Sequence, residues 1–259
     1  MARLTKLQRT VEGRVALVTG AGSGIGRATA HVLADDGAHV AVTDRDEQRA
    51  RAVAEEIIAA GGWAHAWPMD VTDEAAVGEV VDAAAERFGA LHLLINNAGI
   101  SRFAAIDGDD HPDHWQLSLD VLLTGQVRVV RAALPHLRRI TDARIVNVAS
   151  TEGLGATRYG SPYTTAKHGV VGLTRSLAVE LGPEAITVNC VCPGPVDTAM
   201  TAGIPPEDKA LFARRRTALR RYAEPEEIAH GIVNLCLPAS RYTTGAVLVV
   251  DGGLTVRTA

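Results

Sequence analysis

The sequence predicts an α/β protein in which a parallel β-sheet carries helices on both faces, and three observations support this prediction. Short apolar runs rich in β-branched residues recur along the chain, beginning at 15–18. Each run is followed by a segment with helical spacing, and this alternation is typical of parallel sheets. The runs are continuously apolar, as in strands buried on both faces. With 259 residues, of which 47% are hydrophobic, the chain can bury the core of one such domain.

The predicted elements follow one another without a linker or a change in composition. The first residues show no clear periodicity, so we expect a mobile or partner-bound tail at 1–13 and the domain at 14–259. A helix at 72–88 has Val77, Val80, Val81 and Ala84 on its apolar side, at the spacing of one helix face. The remaining strands are predicted at 39–43, 63–69, 91–95, 143–149, 186–191 and 247–250, and further helices at 114–139, 162–181 and 225–237.

Composition and charge argue against several classes of function. The net charge is −4 and the sequence pI is about 6.1, so no basic field would attract nucleic acid or a membrane. No apolar run approaches the ~18 residues of a membrane helix, and the N-terminus lacks the apolar region of a secretory signal. Three cysteines are too few for a disulfide framework or a zinc site, and Cys190 and Cys192 are predicted to be buried free thiols. We therefore expect a cytoplasmic protein.

The segment after the first strand is rich in glycine. The strand ends at Thr19, and Gly20, Gly22, Gly24 and Gly26 precede a helical pattern. Glycines at such a turn let backbone N–H groups approach a pyrophosphate at the helix N-terminus. A glycine cluster alone is explained by the sterics of turns, but the strand before it and the helix after it favour a dinucleotide-binding turn.

An acidic residue ends the second predicted strand. Asp44 follows Gly26 by 18 residues, and a carboxylate there can accept hydrogen bonds from the adenosine ribose while repelling a 2′-phosphate. The alternative is that Asp44 caps the following helix. Its distance from the glycines favours the ribose role and therefore NAD, although Arg45 keeps NADP open as the weaker option.

Residues 145–167 combine a strand, a loop and the start of a helix. Ser150 ends the strand, and Ser161 followed by proline predicts a helix N-terminus with Ser161 as its cap. Tyr163 and Lys167 then lie one turn apart on the same helix face. At ~4 Å and an effective dielectric of about 20, a lysine charge would favour a tyrosinate by roughly 4 kcal/mol, or about three pK units. Ser150 could polarise a carbonyl between them; the alternative is that Tyr163 and Lys167 are an ordinary surface pair.

Together these motifs resemble the classical short-chain dehydrogenases/reductases over about 13–254. The matching motifs are Thr19-Gly20-x-x-x-Gly24-x-Gly26, Asp70-Val71, Asn96-Asn97-Ala98-Gly99, Ser150 with Tyr163-x-x-x-Lys167, and Pro193-Gly194-x-x-x-Thr198. The resemblance implies a single-domain, Rossmann-type, doubly wound parallel sheet of about seven strands, a nicotinamide cofactor across the carboxyl ends of the strands, and a substrate lid at about 195–223. It also implies a homotetramer, which agrees with two apolar sides on the helix at 162–181.

The resemblance further implies roles for individual residues. Tyr163 is expected to be the general acid and base, Ser150 the donor that polarises the carbonyl, and Lys167 a ligand of the nicotinamide ribose that also modulates the tyrosine. Asp70 and Val71 are expected to hold the adenine, and no metal site is expected. The complete expected cofactor site comprises Gly20, Ser23, Gly24, Ile25, Gly26, Asp44, Asp70, Val71, Asn97, Tyr163, Lys167, Pro193, Val196 and Thr198.

One position departs from the family pattern. Where the family has an asparagine in a V-N-x-T-G setting, this chain has Leu122. That asparagine holds a water linking the lysine to solvent, whereas leucine can neither donate nor accept a hydrogen bond. The relay would then rely on backbone carbonyls or on another side chain such as Ser118, or the protein binds cofactor and turns over poorly.

Three further features each have two interpretations. Residues 109–114 carry aspartates and histidines, which we interpret as a solvated turn before a helix rather than a metal site. Arginines 214–216, 220 and 221 form a basic cluster, which is either a solvated helix face, as we favour, or a recognition site for an anionic carrier such as an acyl thioester. Glu152 either lines the substrate side or is a solvated loop carboxylate.

The sequence therefore predicts an oxidoreductase that transfers hydride between NAD(H) and a secondary alcohol or ketone. Its expected partners are a small-molecule substrate and further copies of the same chain, with no nucleic acid and no membrane. One alternative is an NADPH-dependent reductase of 3-oxoacyl thioesters, favoured by the arginines and opposed by Asp44. The other is a cofactor-binding protein with weak or no catalysis, motivated by Leu122.

Overall fold

The computed structural model describes residues 4–258, and within them seven strands form one sheet. In chain order the strands are β1 (Val15–Thr19), β2 (His39–Asp44), β3 (Trp63–Pro68), β4 (Leu93–Asn96), β5 (Arg144–Val148), β6 (Thr187–Pro193) and β7 (Val247–Val250). All neighbouring strands are parallel, in the order β3-β2-β1-β4-β5-β6-β7. The strand order reverses between β1 and β4, and doubly wound sheets bind ligands at such a switch point. The predicted fold class is confirmed.

Helices cover both faces of this sheet. In chain order they are α1 (Gly24–Asp35), α2 (Glu47–Ala59), α3 (Glu74–Phe88), α4 (His111–Leu119), α5 (Gly125–Leu137), α6 (Ser161–Leu181), α7 (Pro206–Arg216) and α8 (Pro225–Cys236). Helix α3 shows why such segments form: the Asp73 side chain accepts hydrogen bonds from the first-turn N–H groups, and Gly89 ends the helix with a φ of 78°. The predicted apolar side of α3 is buried.

The sheet separates two cores. Every residue of β1 is buried, and alternate side chains enter different cores. Ala16 and Val18 pack with α1, α2 and α8, whereas Val15 and Leu17 pack with α3, α5 and α6. Burial of apolar surface stabilises a fold by roughly 25 cal/mol per Å², so a strand that contributes to both cores holds the sheet in place.

The prediction of a single long helix at 114–139 is wrong in detail. Helix α4 begins earlier, at His111, and a π-helical turn at Asp120–Thr124 separates it from α5. A π turn inserts one residue into a helix that otherwise continues. The apolar spacing on either side therefore still reads as helical, and the sequence pattern does not reveal the interruption.

The capping role predicted for Ser161 is also wrong. Ser161 is the first residue of α6, and the N-cap residue is Gly160, which has no side-chain cap. The Ser161 hydroxyl is instead hydrogen-bonded to Nε2 of His111 at 2.9 Å, and His111 is buried. This contact ties the first turn of α6 to α4, so His111 does not belong to the solvated turn predicted at 109–114.

The remaining predictions concern the N-terminus and the thiols. Residues 1–3 of the predicted tail lie outside the described residues. Val11 is buried and the carbonyl of Gln8 accepts a hydrogen bond from Ala239 N–H at 3.0 Å, but the boundary at residue 13 stays a prediction. Cys190 and Cys192 are buried free thiols, as predicted, with Sγ atoms 3.8 Å apart. Within residues 4–258, every helix is too short or too polar to span a bilayer.

Candidate active site

A cleft of about 460 Å³ lies at the carboxyl ends of the strands. Loops that follow β1, β2, β3, β4, β5 and β6 form its walls, together with the first turns of α1 and α6. All the predicted site residues line this cleft except Gly26. The fold thus brings together side chains that are far apart in the sequence.

Gly26 contributes to packing rather than to the cleft surface. A Cβ atom on Gly26 would lie 2.2 Å from the carbonyl oxygen of Gly20 and 2.4 Å from Nδ2 of Asn97, so a larger residue does not fit. Asn97 donates from Nδ2 to the carbonyl oxygens of Thr19 and Gly20, at 2.9 and 3.1 Å. These contacts fix the glycine-rich turn against the loop that follows β4.

The N-terminus of α1 faces the cleft. Ser23 is the N-cap residue, and its side chain makes no capping hydrogen bond. Gly24 has a φ of +54°, and a Cβ there would lie 3.2 Å from Cγ2 of Thr198, in the loop after β6. Unpaired N–H groups at a helix N-terminus attract phosphate. This narrow corner therefore fits the pyrophosphate of a dinucleotide cofactor.

The Asp44 carboxylate is held in a defined orientation at the end of β2. Its Oδ2 accepts the N–H of Gly22 at 2.9 Å, and its Oδ1 accepts the N–H of Asp46 at 3.0 Å. The N-cap of α2 is Asp46, which accepts the N–H of Arg49. Asp44 is thus not the cap of this helix, and it lines the cleft.

Asp70 lies at the same end of the cleft, after β3. It accepts hydrogen bonds from the backbone N–H and the hydroxyl of Thr72, at 2.9 and 2.7 Å. Partial burial raises the pKa of Asp70, but these two hydrogen bonds and the charges of Arg45 and Arg128 together outweigh it, so the pKa lies below its ordinary value. Asp70 is therefore an anion and an acceptor at neutral pH.

The three predicted catalytic side chains meet at the other end of the cleft. Lys167 is buried, and its Nζ donates to the carbonyl oxygen of Val148 at 2.9 Å. The same Nζ lies 5.6 Å from the ring centroid of Tyr163. Ser150 Oγ accepts the N–H of Glu152 at 3.1 Å. Tyr163 and Lys167 are therefore not an ordinary surface pair.

The expected lowering of the tyrosine pKa is wrong for this arrangement. Burial raises the pKa of Tyr163 to about 12, although its hydrogen bond with Ser150 acts in the opposite direction. Burial also lowers the pKa of Lys167 to about 8. The physical reason is desolvation, which disfavours the charged form of both groups. The lysine charge is moreover directed at a backbone carbonyl instead of the phenol oxygen.

Comparison with known proteins places this geometry in a family. The profile of a family described as enoyl-(acyl carrier protein) reductase matches residues 20–255. A 3-alpha-(or 20-beta)-hydroxysteroid dehydrogenase of Mycobacterium tuberculosis is 42% identical over 241 residues, which cover 93% of this chain and 89% of that protein. The chain belongs to the short-chain dehydrogenase/reductase family. It is therefore an oxidoreductase of the kind that acts on alcohols and ketones with a nicotinamide cofactor.

Other short-chain dehydrogenases/reductases match over a similar length. A cis-4-hydroxycyclohexanecarboxylate dehydrogenase of Sinomonas cyclohexanicum is 42% identical over 242 residues, covering 93% of this chain and 96% of that protein. A 3-oxoacyl-(acyl-carrier-protein) reductase of Thermotoga maritima is 36% identical over 250 residues, covering 95% of this chain and 99% of that protein. The crystal structure of a dehydrogenase/reductase from Sinorhizobium meliloti has a TM-score of 0.88 at 36% identity and covers 95% of this chain and 96% of that one.

Leu122 departs from the short-chain dehydrogenase/reductase pattern. It is fully buried within the π-helical turn. Its Cδ2 lies 3.3 Å from the position that a Cβ atom would occupy if Gly99 were replaced by a larger residue. Ser118, one helical turn earlier, is also fully buried, and its Oγ has no hydrogen-bond partner among the described residues. A hydroxyl without a partner therefore lies close in the chain to the position where the family has its asparagine.

Glu152 fits neither of its two predicted interpretations. It does not line the cleft, and it is not simply solvated. Its carboxylate accepts hydrogen bonds from the N–H and hydroxyl of Thr157, at 3.0 and 2.5 Å, and from the hydroxyl of Thr164 in α6, at 2.6 Å. Glu152 thus fastens the loop after β5 to the turn of α6 that carries Tyr163.

The arginine cluster lies away from the cleft. None of the arginines at 214–216, 220 and 221 lines it. Arg221 makes a bidentate pair with Glu227, at 2.5 and 2.6 Å, and this pair lowers the pKa of Glu227 to about 2. The favoured interpretation of a solvated, charge-balanced face agrees with this placement.

Sequence reasoning missed one aromatic residue at the site. The Phe103 ring stacks on Tyr163, with ring centroids 5.9 Å apart and an interplanar angle of 24°. The sequence offered a weak signal, an aromatic residue four positions after Asn96-Asn97-Ala98-Gly99. Stacking between a loop and a helix depends on the fold and has no periodic signature.

Proposed function

We propose that the protein is an NAD(H)-dependent dehydrogenase that interconverts secondary alcohols and ketones. The observation that carries this proposal is one cleft lined by Tyr163, Ser150 and Lys167 at one end and by Asp44 at the other. Asp44 ends β2 and Ser150 follows β5, and β1 and β4 lie between these two strands in the sheet. A nicotinamide cofactor bound across these strands supplies or accepts the hydride.

Tyr163 acts as the general acid in ketone reduction and the general base in alcohol oxidation. With a pKa of about 12, its phenol is protonated at neutral pH and is ready to donate to a ketone oxygen. Oxidation needs the phenolate, which the ammonium of Lys167 stabilises when it approaches the phenol oxygen. Ser150 Oγ accepts the N–H of Glu152 and is hydrogen-bonded with Tyr163. Its hydroxyl proton therefore lies beside the phenol and can turn to a substrate oxygen placed between the two groups.

Asp44 supports the choice of NAD(H). Both carboxylate oxygens are fixed by backbone N–H groups, so the negative charge cannot easily turn away from a 2′-phosphate. Arg45 and Arg49 also line the cleft, but Arg49 is paired with Asp46 at 3.1 Å. The remaining predicted residues that line the cleft would hold the rest of the cofactor: Gly20, Ser23, Gly24, Ile25, Asp70, Val71, Asn97, Pro193, Val196 and Thr198. Gly26 would act indirectly, by allowing the glycine-rich turn to pack against Asn97.

Two alternatives are less well supported. The similarity to a 3-oxoacyl-(acyl-carrier-protein) reductase favours the alternative of an NADPH-dependent thioester reductase. The arginines that motivated this alternative, however, do not line the cleft. A cofactor-binding protein without catalysis would follow if Leu122 disabled proton release. The intact trio of Ser150, Tyr163 and Lys167 argues against that alternative.

Assembly and location belong to the same proposal. We expect a homotetramer in the cytoplasm, with residues 195–223, which include α7, as the substrate lid. Helix α6 supports the oligomer because one side of it is buried in the chain while Val179 is exposed, and exposed apolar residues on such a helix favour contact with another subunit. Light scattering on the purified protein measures the oligomeric state.

The test is a panel of ketones and alcohols assayed with NADH, NADPH, NAD and NADP by absorbance of the reduced nicotinamide. Tyr163→Phe should lower kcat by roughly 10²–10⁴-fold, which is the size of a general acid–base contribution. It should leave NADH binding nearly unchanged. Lys167→Ala should impair both turnover and binding, because Lys167 also holds the ribose. A Tyr163→Phe protein with near-normal turnover would refute the assignment, and binding without turnover of any substrate would favour the non-catalytic alternative.

A further inference from the structure

The first turn of α6, which carries Tyr163, has no side-chain cap. Its N-cap residue is Gly160, and the early N–H groups of a helix have no partner within the helix, so uncapped ends fray. Lys167 lies one turn further on, where its Nζ donates to the carbonyl oxygen of Val148 at 2.9 Å. The phenol therefore lies in the part of α6 that depends most on contacts from outside the helix.

One such contact comes from the first turn of α4. Nε2 of His111 is hydrogen-bonded to the hydroxyl of Ser161 at 2.9 Å. Ser161 is the first residue of α6 and lies two positions before Tyr163. The bond joins residues that are 50 positions apart in the chain, and it acts on the turn that carries the phenol.

The imidazole of His111 is itself held in place. The residue is buried, and its ring stacks on that of Trp115, with ring centroids 6.0 Å apart and an interplanar angle of 25°. Its backbone N–H donates to the carbonyl oxygen of Gly108 at 3.0 Å. Because packing and its own backbone fix this side chain, its bond to Ser161 restrains α6 instead of following its movement.

The same turn of α4 reaches Tyr163 by a second route. Nδ1 of His114 lies 3.1 Å from the carbonyl oxygen of Phe103, and because a carbonyl can only accept, Nδ1 donates this bond. The Phe103 ring stacks on the phenol ring, with centroids 5.9 Å apart. His111 and His114 lie on one face of α4, so a single helical turn supports both the backbone and the ring of Tyr163.

We propose that His111 is a positioning residue for Tyr163, and that its bond to Ser161 keeps the phenol within reach of Ser150 and of a substrate oxygen. The inference rests on the proposed function, because it concerns the proton step of that reaction. His111 does not line the cleft, so it acts through α6. A displacement of about 1 Å at a reacting group can lower a rate by about 10²-fold, so a loosened first turn should slow reduction measurably.

The test measures the single-turnover rate of NADH oxidation by the ketone that the panel shows to be reduced best, so that product release does not hide the effect. The amide of a glutamine reaches the position of Nε2, whereas that of an asparagine reaches only the position of Nδ1. His111→Asn and Ser161→Ala should each lower the rate about tenfold, and His111→Gln should keep it within about threefold of the parent. The Kd of NADH, measured by nicotinamide fluorescence, should change by less than about threefold in all three variants, because Lys167 is held separately.

A double variant and a control separate this role from a loss of stability. Because His111→Asn and Ser161→Ala break the same bond, the double variant should be no slower than either single variant. The control is Ile57→Val in α2, which removes one methyl group from a buried side chain in the core on the other face of the sheet. Its loss of stability is similar to that of one hydrogen bond, and its single-turnover rate should equal that of the parent.

Parent-like rates in both His111→Asn and Ser161→Ala would overturn the proposal, since the bond would then not position the phenol. Equal losses in His111→Gln and His111→Asn, or a similar loss in Ile57→Val, would mean that His111 only stabilises the fold. Losses that multiply in the double variant would mean that the two residues act separately. If the parent reduces no ketone with either cofactor, the proposed function fails and this inference fails with it, whereas the other outcomes leave the proposed function intact.

Discussion

The hydrogen bonds of Glu152 make its replacement a sharp test of how the site is held together. The carboxylate accepts three hydrogen bonds, two from Thr157 within its own loop and one from Thr164 in α6. Ser150 lies two residues before Glu152, and Tyr163 directly precedes Thr164. The contact thus links the two chain segments that carry the proposed proton donors, and Glu152→Ala removes all three bonds at once.

The expected loss of stability follows from these bonds. Hydrogen bonds to charged groups contribute about 1.5–3 kcal/mol each when buried, and because Glu152 is half-buried we take about 1 kcal/mol for each. Glu152→Ala should then lower the free energy of unfolding by about 3 kcal/mol. For a chain of this length that corresponds to a fall in Tm of roughly 6–12 °C. Glu152→Gln keeps one acceptor oxygen and should lose about 1 kcal/mol.

The charge of Glu152 should also affect catalysis if Tyr163 is the acid and base, as proposed. It raises the pKa of Tyr163, in addition to the larger effect of burial. Glu152→Gln removes that negative charge, so the pKa of the phenol should fall. In the proposed mechanism the rate of alcohol oxidation should rise with pH as Tyr163 loses its proton, and this rise should move to lower pH in Glu152→Gln.

Thermal unfolding followed by circular dichroism measures the loss of stability in Glu152→Ala and Glu152→Gln. The pH profile of kcat/KM for alcohol oxidation measures the shift of the Tyr163 pKa in Glu152→Gln. Glu79→Gln is the control, since Glu79 is exposed on α3. A Tm of Glu152→Ala equal to that of the parent would refute the reasoning about the hydrogen bonds. An unchanged or upward-shifted pH profile of Glu152→Gln would refute the electrostatic part.

Two further predictions concern the cofactor and the proton path. Asp44→Ala should narrow or reverse the preference for NAD(H), measured as the ratio of kcat/KM with NADH and NADPH, and better use of NADPH by the parent would contradict the assignment. If proton release through Lys167 limits the rate, Leu122→Asn should raise kcat, up to about 10²-fold within the range of acid–base effects, and Ser118→Ala should lower it if the Ser118 hydroxyl substitutes for the missing amide. Parent-like pH profiles in both variants would show that Leu122 only packs.

The sequence alone determined the architecture and was sufficient to nominate the proposed catalytic groups, because both depend on short-range patterns. The apolar run of β1 followed by four closely spaced glycines predicts a strand, a turn and a helix, and the structure has them at Val15–Thr19 and Gly24–Asp35. Tyr163 and Lys167 lie one turn apart on one helix, as their spacing requires. Local geometry suffices for such features.

Only the tertiary structure decided how these groups are held and charged. The bond between Ser161 and His111, the contact of Glu152 with Thr164 and the stacking of Phe103 on the tyrosine join segments whose separation in the chain carries no periodic signal. The direction of the tyrosine pKa was mispredicted for the same reason. The sequence shows that a lysine is near in the chain, but burial, which sets the cost of placing a charge there, is a property of the whole fold.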